Sequence, residues 1–229
     1  MIKIIFPLML ILFPLILSAQ DPNQLINEVL TKFSSVKDYK ADATIKSDIP
    51  LIKNLPVRAT IYFKEKDKFR IVSKGIAILP KQGFTDITKL LREKESYTAI
   101  LTGSEMIQNI KTEIVTILPK ADTSDLVLAK IWIDSKSNIV MKSQITTRNN
   151  GQVTAEYTFG NEKEYGLPEK MLFTVDVKKF KIPKGLATDI NKTTSVDENK
   201  TVSKVGTVSI QIRNYVVNKG IGDEVFKGK

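Results

Sequence analysis

The chain has 229 residues, with 35 Lys and Arg against 25 Asp and Glu, and contains neither His nor Cys. This composition excludes Ser-His-Asp and Cys-His catalytic pairs, zinc fingers and disulfide frameworks, leaving a carboxylate or lysine enzyme open. A hydrophobic content of 42% suits a globular chain of one domain, or at most two small ones.

Residues 1–19 read MIKIIFPLMLILFPLILSA, with a basic Lys3, an apolar run from Ile4 to Leu17 and the small pair Ser18-Ala19. That pattern predicts a secretory signal peptide cut near Ala19 or Gln20. An uncleaved anchor is the rival, but a spanning helix needs about 20 apolar residues. Pro7 and Pro14 also interrupt this shorter run. No Cys follows the run, so acylation at the cut is excluded. Residues 20–229 are expected to form one domain.

Asp21-Pro22 opens the first helix: Asp21 can cap it, Pro22 suits the first turn and Gln24 occupies a capping-box position. Leu25, Ile26, Val29, Leu30 and Phe33 then share one face, predicting a helix of about 13 residues ending near Ser34-Ser35. From Tyr39 the period becomes two. Val57, Ala59, Ile61 and Phe63 alternate with Arg58, Thr60, Tyr62 and Lys64, and Phe69 to Val72 return after a turn at Lys66-Asp67. Further strands are predicted at 97–102, 111–118, 126–134, 139–147, 153–159, 171–180 and 208–217. Their turns are marked by Asp134 to Asn138, Asn149-Asn150-Gly151, Gly166-Leu167-Pro168 and Pro183-Lys184-Gly185.

A second helix is expected at 85–95, where Ile87, Leu90 and Leu91 share a face. Residues 191–204, polar and without periodicity, are expected to be a mobile loop. About ten strands joined by tight turns predict a mainly β fold with one long antiparallel sheet, curled or split into two layers. Its inward set is Ile61, Phe63, Phe69, Ile71, Leu101, Ile131, Ile133, Met141, Ile145, Tyr157, Phe159, Phe173, Val175 and Val177. Two outcomes stay open: a barrel packed with its own side chains, or an open sheet whose helices roof a hollow for an apolar ligand.

Other chemistry has little support. Glu93 and Glu95, and Glu162 and Glu164, lie in lysine-rich segments that offer no shelter to a general acid. Asp134 fits a turn, Asp176 an outward position. Only Arg58, Arg70, Arg92, Arg148 and Arg213 are arginine, and the lysines are spread along the chain. Their densest patch, Lys178, Lys179, Lys181 and Lys184, is broken by Phe180 and Ile182, so no nucleic-acid face is expected. Trp132 alternates out of phase with Ile131 and Ile133; a place under a lid and a place on the outer face both remain open.

The order of these elements resembles the periplasmic lipoprotein carriers of the LolA/LolB type and the broader outer-membrane lipoprotein-sorting proteins. The resemblance lies in the helix Pro22–Ser34 leading into Val36 to Thr44, the aromatic hairpin from Ile61 to Arg70 and the meander Ile131-Trp132-Ile133-Asp134 with Ile139. It extends to Tyr157-Thr158-Phe159, Leu167-Pro168 and Tyr215 to Asn218 with Phe226. It implies an incomplete (half-open) β-barrel with helices over its concave face, and a non-catalytic carrier of lipoprotein acyl chains or lipid, without cofactor. On that implication Ile61, Phe63, Phe69, Ile71, Leu101, Ile131, Ile133, Met141, Phe159, Phe173 and Val175 line the cargo site. Leu25, Val29, Phe33, Ile87, Leu90 and Leu91 form the lid.

Also implied are export to the periplasm of a Gram-negative bacterium, a monomer, and an inner-membrane donor and outer-membrane acceptor as candidate partners. An envelope sensor or interaction module with a packed interior is the alternative. Two departures stand out. Lys64-Glu65-Lys66 puts Glu65 where the carriers have a latch arginine, and residues 76–95 replace the carriers' Asp-Gly strand pair.

Overall fold

A computed structural model describes residues 20–48, 56–66, 68–75, 86–122, 124–149, 151–176 and 205–227. The leader at 1–19, Val177, the lysines at 178–184 and the loop at 191–204 lie outside them, as do the side chains of Ile87 and Asp176.

Helix α1 (Pro22–Ser34) starts where its sequence dictates. Asp21 has extended dihedrals, its carboxylate accepts from the Asn23 backbone N–H, and Pro22 fills the first turn. The reciprocal half of a capping box does not form, because the Gln24 amide donates to Glu28 at 2.9 Å along the helix. Leu25, Ile26 and Val29 are buried, and fully burying such side chains stabilises by about 1.5–3 kcal/mol each.

Ten antiparallel strands follow: β1 (Asp38–Asp48), β2 (Val57–Lys64), β3 (Lys68–Ser73), β4 (Tyr97–Ile107), β5 (Ile110–Pro119), β6 (Leu126–Asp134), β7 (Ile139–Thr147), β8 (Gly151–Phe159), β9 (Pro168–Asp176) and β10 (Val205–Val217). The order across the sheet is β3-β2-β1-β10-β9-β8-β7-β6-β5-β4. β3 and β4 are the two edges and do not pair, so the curved sheet stays open. The chain between them must therefore pass from one edge to the other, and it carries α2 (Asp86–Arg92). That helix packs on α1, with Leu91 buried and the Tyr97 hydroxyl donating to the Leu91 carbonyl at 2.9 Å.

The alternation of each strand sends one set of side chains into a single core: Ala41, Ala43 and Ile45 of β1, Val115 and Ile117 of β5, Ala129, Ile131 and Ile133 of β6, Val208, Ile210 and Ile212 of β10. Asp134 ends β6 as its type suggests. Its Oδ1 accepts from the N–H groups of Lys136 and Ser137, and Asn138 at φ 54 completes the turn into β7. Lys32 of α1 donates to the Ser137 carbonyl at 2.7 Å, while Asn218 donates to the Ser35 carbonyl, so α1 is tied to the sheet at its C-terminal end.

Candidate functional site

The inward residues fall into two populations. Ile61, Ile131, Ile133, Phe173 and Val175 are closed off from water (0–2% exposed) in the same cluster as Leu25 and Val29. Phe63, Phe69, Ile71, Leu101 and Phe159 are half-buried against that cluster, as are Phe33 of α1 and Leu90 of α2. Ile145 and Tyr157 belong to the closed set. Met141 is buried too, but it sits where the β6–β7 register shifts and lies outside the main cluster.

Register explains the half-open set. Phe63 faces Phe69 and Ile61 faces Ile71 across β2 and β3, and Leu101 faces Val115 across β4 and β5. Phe63, Phe69, Ile71 and Leu101 thus lie on or beside the two sheet edges. The aromatic end of this row is ordered by contact: Tyr39 stacks on Phe63 at 5.3 Å and meets Tyr215 edge-on at 5.4 Å.

Among the described residues the core cluster is apolar, and Glu113, opposite Ile133 on the same face of β5 and β6, brings a carboxylate paired with Lys111 at 3.1 Å to its margin. The buried acids Asp38 and Asp134 are satisfied by backbone N–H groups outside that core. Its polar members stay neutral. Burial pushes the Tyr157 phenol upward despite its 3.0 Å hydrogen bond with Ser143, and burial also raises Tyr39 and Tyr215, the latter donating to the Pro168 carbonyl. Such a surface can shelter hydrocarbon. Glu93 and Glu95 are exposed, and no group of three or more acidic side chains gathers among the described residues. A separate cleft of about 370 Å³ mixes Leu167, Ile212 and Tyr215 with Glu162, Glu169 and Arg213, a lining unlike the apolar row.

No family model and no curated protein matches the sequence. Solved structures do match. A putative outer membrane lipoprotein-sorting protein domain from Vibrio parahaemolyticus superposes with a TM-score of 0.62 at 10% identity, covering 90% of this chain and 95% of that one. A DUF1329 family protein from Desulfovibrio piger gives 0.58 at 13% identity, with 91% and 98% covered. A LolA superfamily protein from Nitrosomonas europaea gives 0.56 at 9%, with 92% and 99% covered. The fold is LolA-like.

Within that LolA-like fold the β2–β3 corner differs from the pattern expected of an arginine latch. Glu65 is exposed, and its N–H donates to the Lys37 carbonyl. The hairpin's cations instead hold the turn Asp223–Phe226. Lys64 and Lys68 reach the Asp223 carboxylate at 2.7 and 2.8 Å, and Arg70 donates to the carbonyls of Val225 and Lys227. No local pattern announces this clamp, because its halves lie some 155 residues apart.

The hydrogen bonds from Lys64 and Lys68 hold the Asp223 carboxyl down at about 2, from an ordinary 3.8, and the bond to Asp223 raises Lys64 in turn. A depressed carboxylate stabilises above its unfolded value and loses that contribution as pH falls through the folded one. Acidification from about pH 4 to pH 2 should therefore release residues 221–227 from the hairpin. Amide exchange of those residues would report it, and Asp223→Asn should show the released state already at neutral pH.

Trp132 settles on the outer face. It is buried, lies outside the core cluster, donates through Nε1 to Glu105 and sits under the Lys142 ammonium at 4.5 Å. Glu105 belongs to the far half of β4, beyond a register shift between Leu101 and Gly103. The Gln108 amide at the tip of that hairpin reaches the Tyr157 carbonyl of β8. The β4–β5 hairpin thus crosses the outside of β6 to β8, and the single tryptophan reports on it rather than on the helices.

Proposed function

We propose that the protein is a non-catalytic carrier of the bacterial periplasm that takes up acyl chains of lipoproteins or lipids and moves them towards the outer membrane. The observation that carries this reading is the half-buried apolar row of Phe63, Phe69, Ile71, Leu90, Leu101 and Phe159 around a closed core. The fold shared with a putative outer membrane lipoprotein-sorting protein domain supports it, as does the apolar N-terminal segment with its Ser18-Ala19 end. A buried methylene is worth about 0.8 kcal/mol, so ten sheltered methylenes approach roughly 8 kcal/mol before ordering costs.

Geometry divides the labour. These half-buried residues, four of them on or beside the sheet edges, are the contact surface for cargo. Ile61, Ile131, Ile133, Phe173 and Val175 are the wall behind it, and Met171 gives the wall adaptable volume. α1, buried along one face and tied at its C-terminal end, is a fixed plug. α2, seven residues long and packed on α1, is the movable cover.

Delipidated protein titrated with a fluorescent fatty-acyl probe should bind it saturably, and native mass spectrometry of protein purified from its host should find co-purified lipid. Well-folded protein that binds no probe and carries no lipid would refute the reading in favour of a packed interaction module.

A further inference from the structure

The cleft beside Tyr215 opens where two strands part, and each strand is irregular there. β9 and β10 pair from Asp176 opposite Val205 to Lys170 opposite Gln211, and the pairing then stops. β9 bulges at Glu169: Thr158 of β8 faces Lys170, yet Phe159 already faces Pro168. β10 bulges against β1, where Asn214 and Tyr215 together stand opposite Ala41 and Asn214 has φ 54. Bulges re-aim side chains and gather beside functional sites. The opening between these two, about 370 Å³, falls within the range of small-molecule pockets.

Its floor is apolar and its walls carry opposite charge. Leu167 and Ile212 are buried at the bottom, and half-buried Tyr215 is fixed by its hydroxyl donating to the Pro168 carbonyl. Glu162 and Glu169 line one wall, from the turn Asn161–Tyr165 and the start of β9. Gly160 makes room for that wall, since a Cβ there would collide with the Glu169 carboxylate. Arg213 lines the other wall, from β10. Among the described residues none of these three charged side chains makes a hydrogen bond or an ion pair. The strands that border residues 49–55, 76–85 and 177–204 end at the opposite end of the sheet. At about 3.4 Å per residue, β9 sets its Asp176 end roughly 25 Å from Glu169.

Carboxylates and a guanidinium that face one opening without meeting form a dipolar slot. We infer that this cleft binds a short zwitterion with a primary ammonium at one end and a phosphate or carboxylate at the other. Glu162 and Glu169 accept from the ammonium, and the planar fork of Arg213 donates to the anionic oxygens. The methylenes between them lie on Leu167, Ile212 and the Tyr215 ring. A free aminoalkyl acid and the head of an aminophospholipid share this chemistry. The site is separate from the acyl-chain row and does not depend on it.

Calorimetric titration of the purified protein with phosphoethanolamine and with β-alanine should show saturable binding of one or both. Ethanolamine and inorganic phosphate, each half of a ligand alone, should bind roughly tenfold or more weakly, as should phosphocholine, whose nitrogen has no N–H. Glu162→Gln, Glu169→Gln and Arg213→Gln, none of them buried, should each lower affinity about tenfold. Glu156→Gln, at an exposed position of β8, should not. Vesicles separate the two sources. Retention on phosphatidylethanolamine over phosphatidylcholine, lost with Arg213→Gln, identifies a lipid head, whereas binding of the soluble zwitterions alone identifies a free molecule. No saturable binding of either zwitterion, equal binding of ethanolamine by itself, or affinity unchanged by Arg213→Gln or by both glutamate substitutions would overturn the inference. The fatty-acyl probe should bind all three variants like the parent, so either reading can fail alone.

Discussion

Val29→Asp should lower the melting temperature by more than about 10 °C or abolish folding, measured by thermal circular dichroism. Val29 is fully buried where α1 meets the core. An aspartate there would have no cation to pair with, since the buried charged residues among those described are Asp38 and Asp134, both acids. An unpaired buried carboxylate costs several kcal/mol, a large share of the roughly 5–15 kcal/mol that holds a domain together. For a chain of this size about 1 kcal/mol moves the melting point by roughly 2–4 °C. Thr31→Asp, on the exposed face of the same helix, should change stability by no more than about 0.5 kcal/mol. If Val29→Asp melted like the parent, α1 would be a detachable lid and the division between plug and cover would fail.

Ile71→Asp and Val72→Asp separate the two faces of one strand. Ile71 is half-buried beside Ile61 on the core face, while Val72 is 46% exposed on the other. A carboxylate at 71 would need desolvating wherever an acyl chain lies against β3, so probe affinity should fall by tenfold or more, about 1.4 kcal/mol. At 72 the same charge stays in water, and binding should match the parent. Both variants sit on an edge strand and should keep the far-ultraviolet spectrum. Phe173 would be a poor choice for this test, because it is fully enclosed and an aspartate there acts on folding first. Equal binding by Ile71→Asp and Val72→Asp would take the cargo away from this edge.

Much of the fold could be read from the sequence because local chemistry settled it. The bounds of α1 follow from Asp21, Pro22 and the Leu25-Ile26-Val29 spacing. β6 and β7 match their expected limits because Asp134 and Asn138 define the turn between them. β4 runs five residues past its expected end, since Gly103, Ser104 and Glu105 read as loop whereas the register shift at Leu101 carries the strand on through them.

Neighbour relations were not legible: alternation tells which face a residue takes, not that β10 lies beside β1. For the same reason Ile61 and Phe63 look alike in sequence, although one is sealed and the other half-open. Both lie on β2 with the same facing, so no strand-level pattern separates them. Trp132 was undecided because its burial comes from the distant Glu105 and the hairpin that bears it.

The place of β10 has a consequence for assembly. It is the last strand in the chain, yet it lies between β1 and β9, joining a three-stranded piece to a six-stranded one. Until Val205–Val217 docks, β1 and β9 each present an unfinished border, and the loop to be closed spans most of the polypeptide. Such remote pairings make folding slow. A chain emerging amino-terminus first must therefore wait for its carboxy-terminal strand, and nascent or truncated forms would be the species most in need of a chaperone.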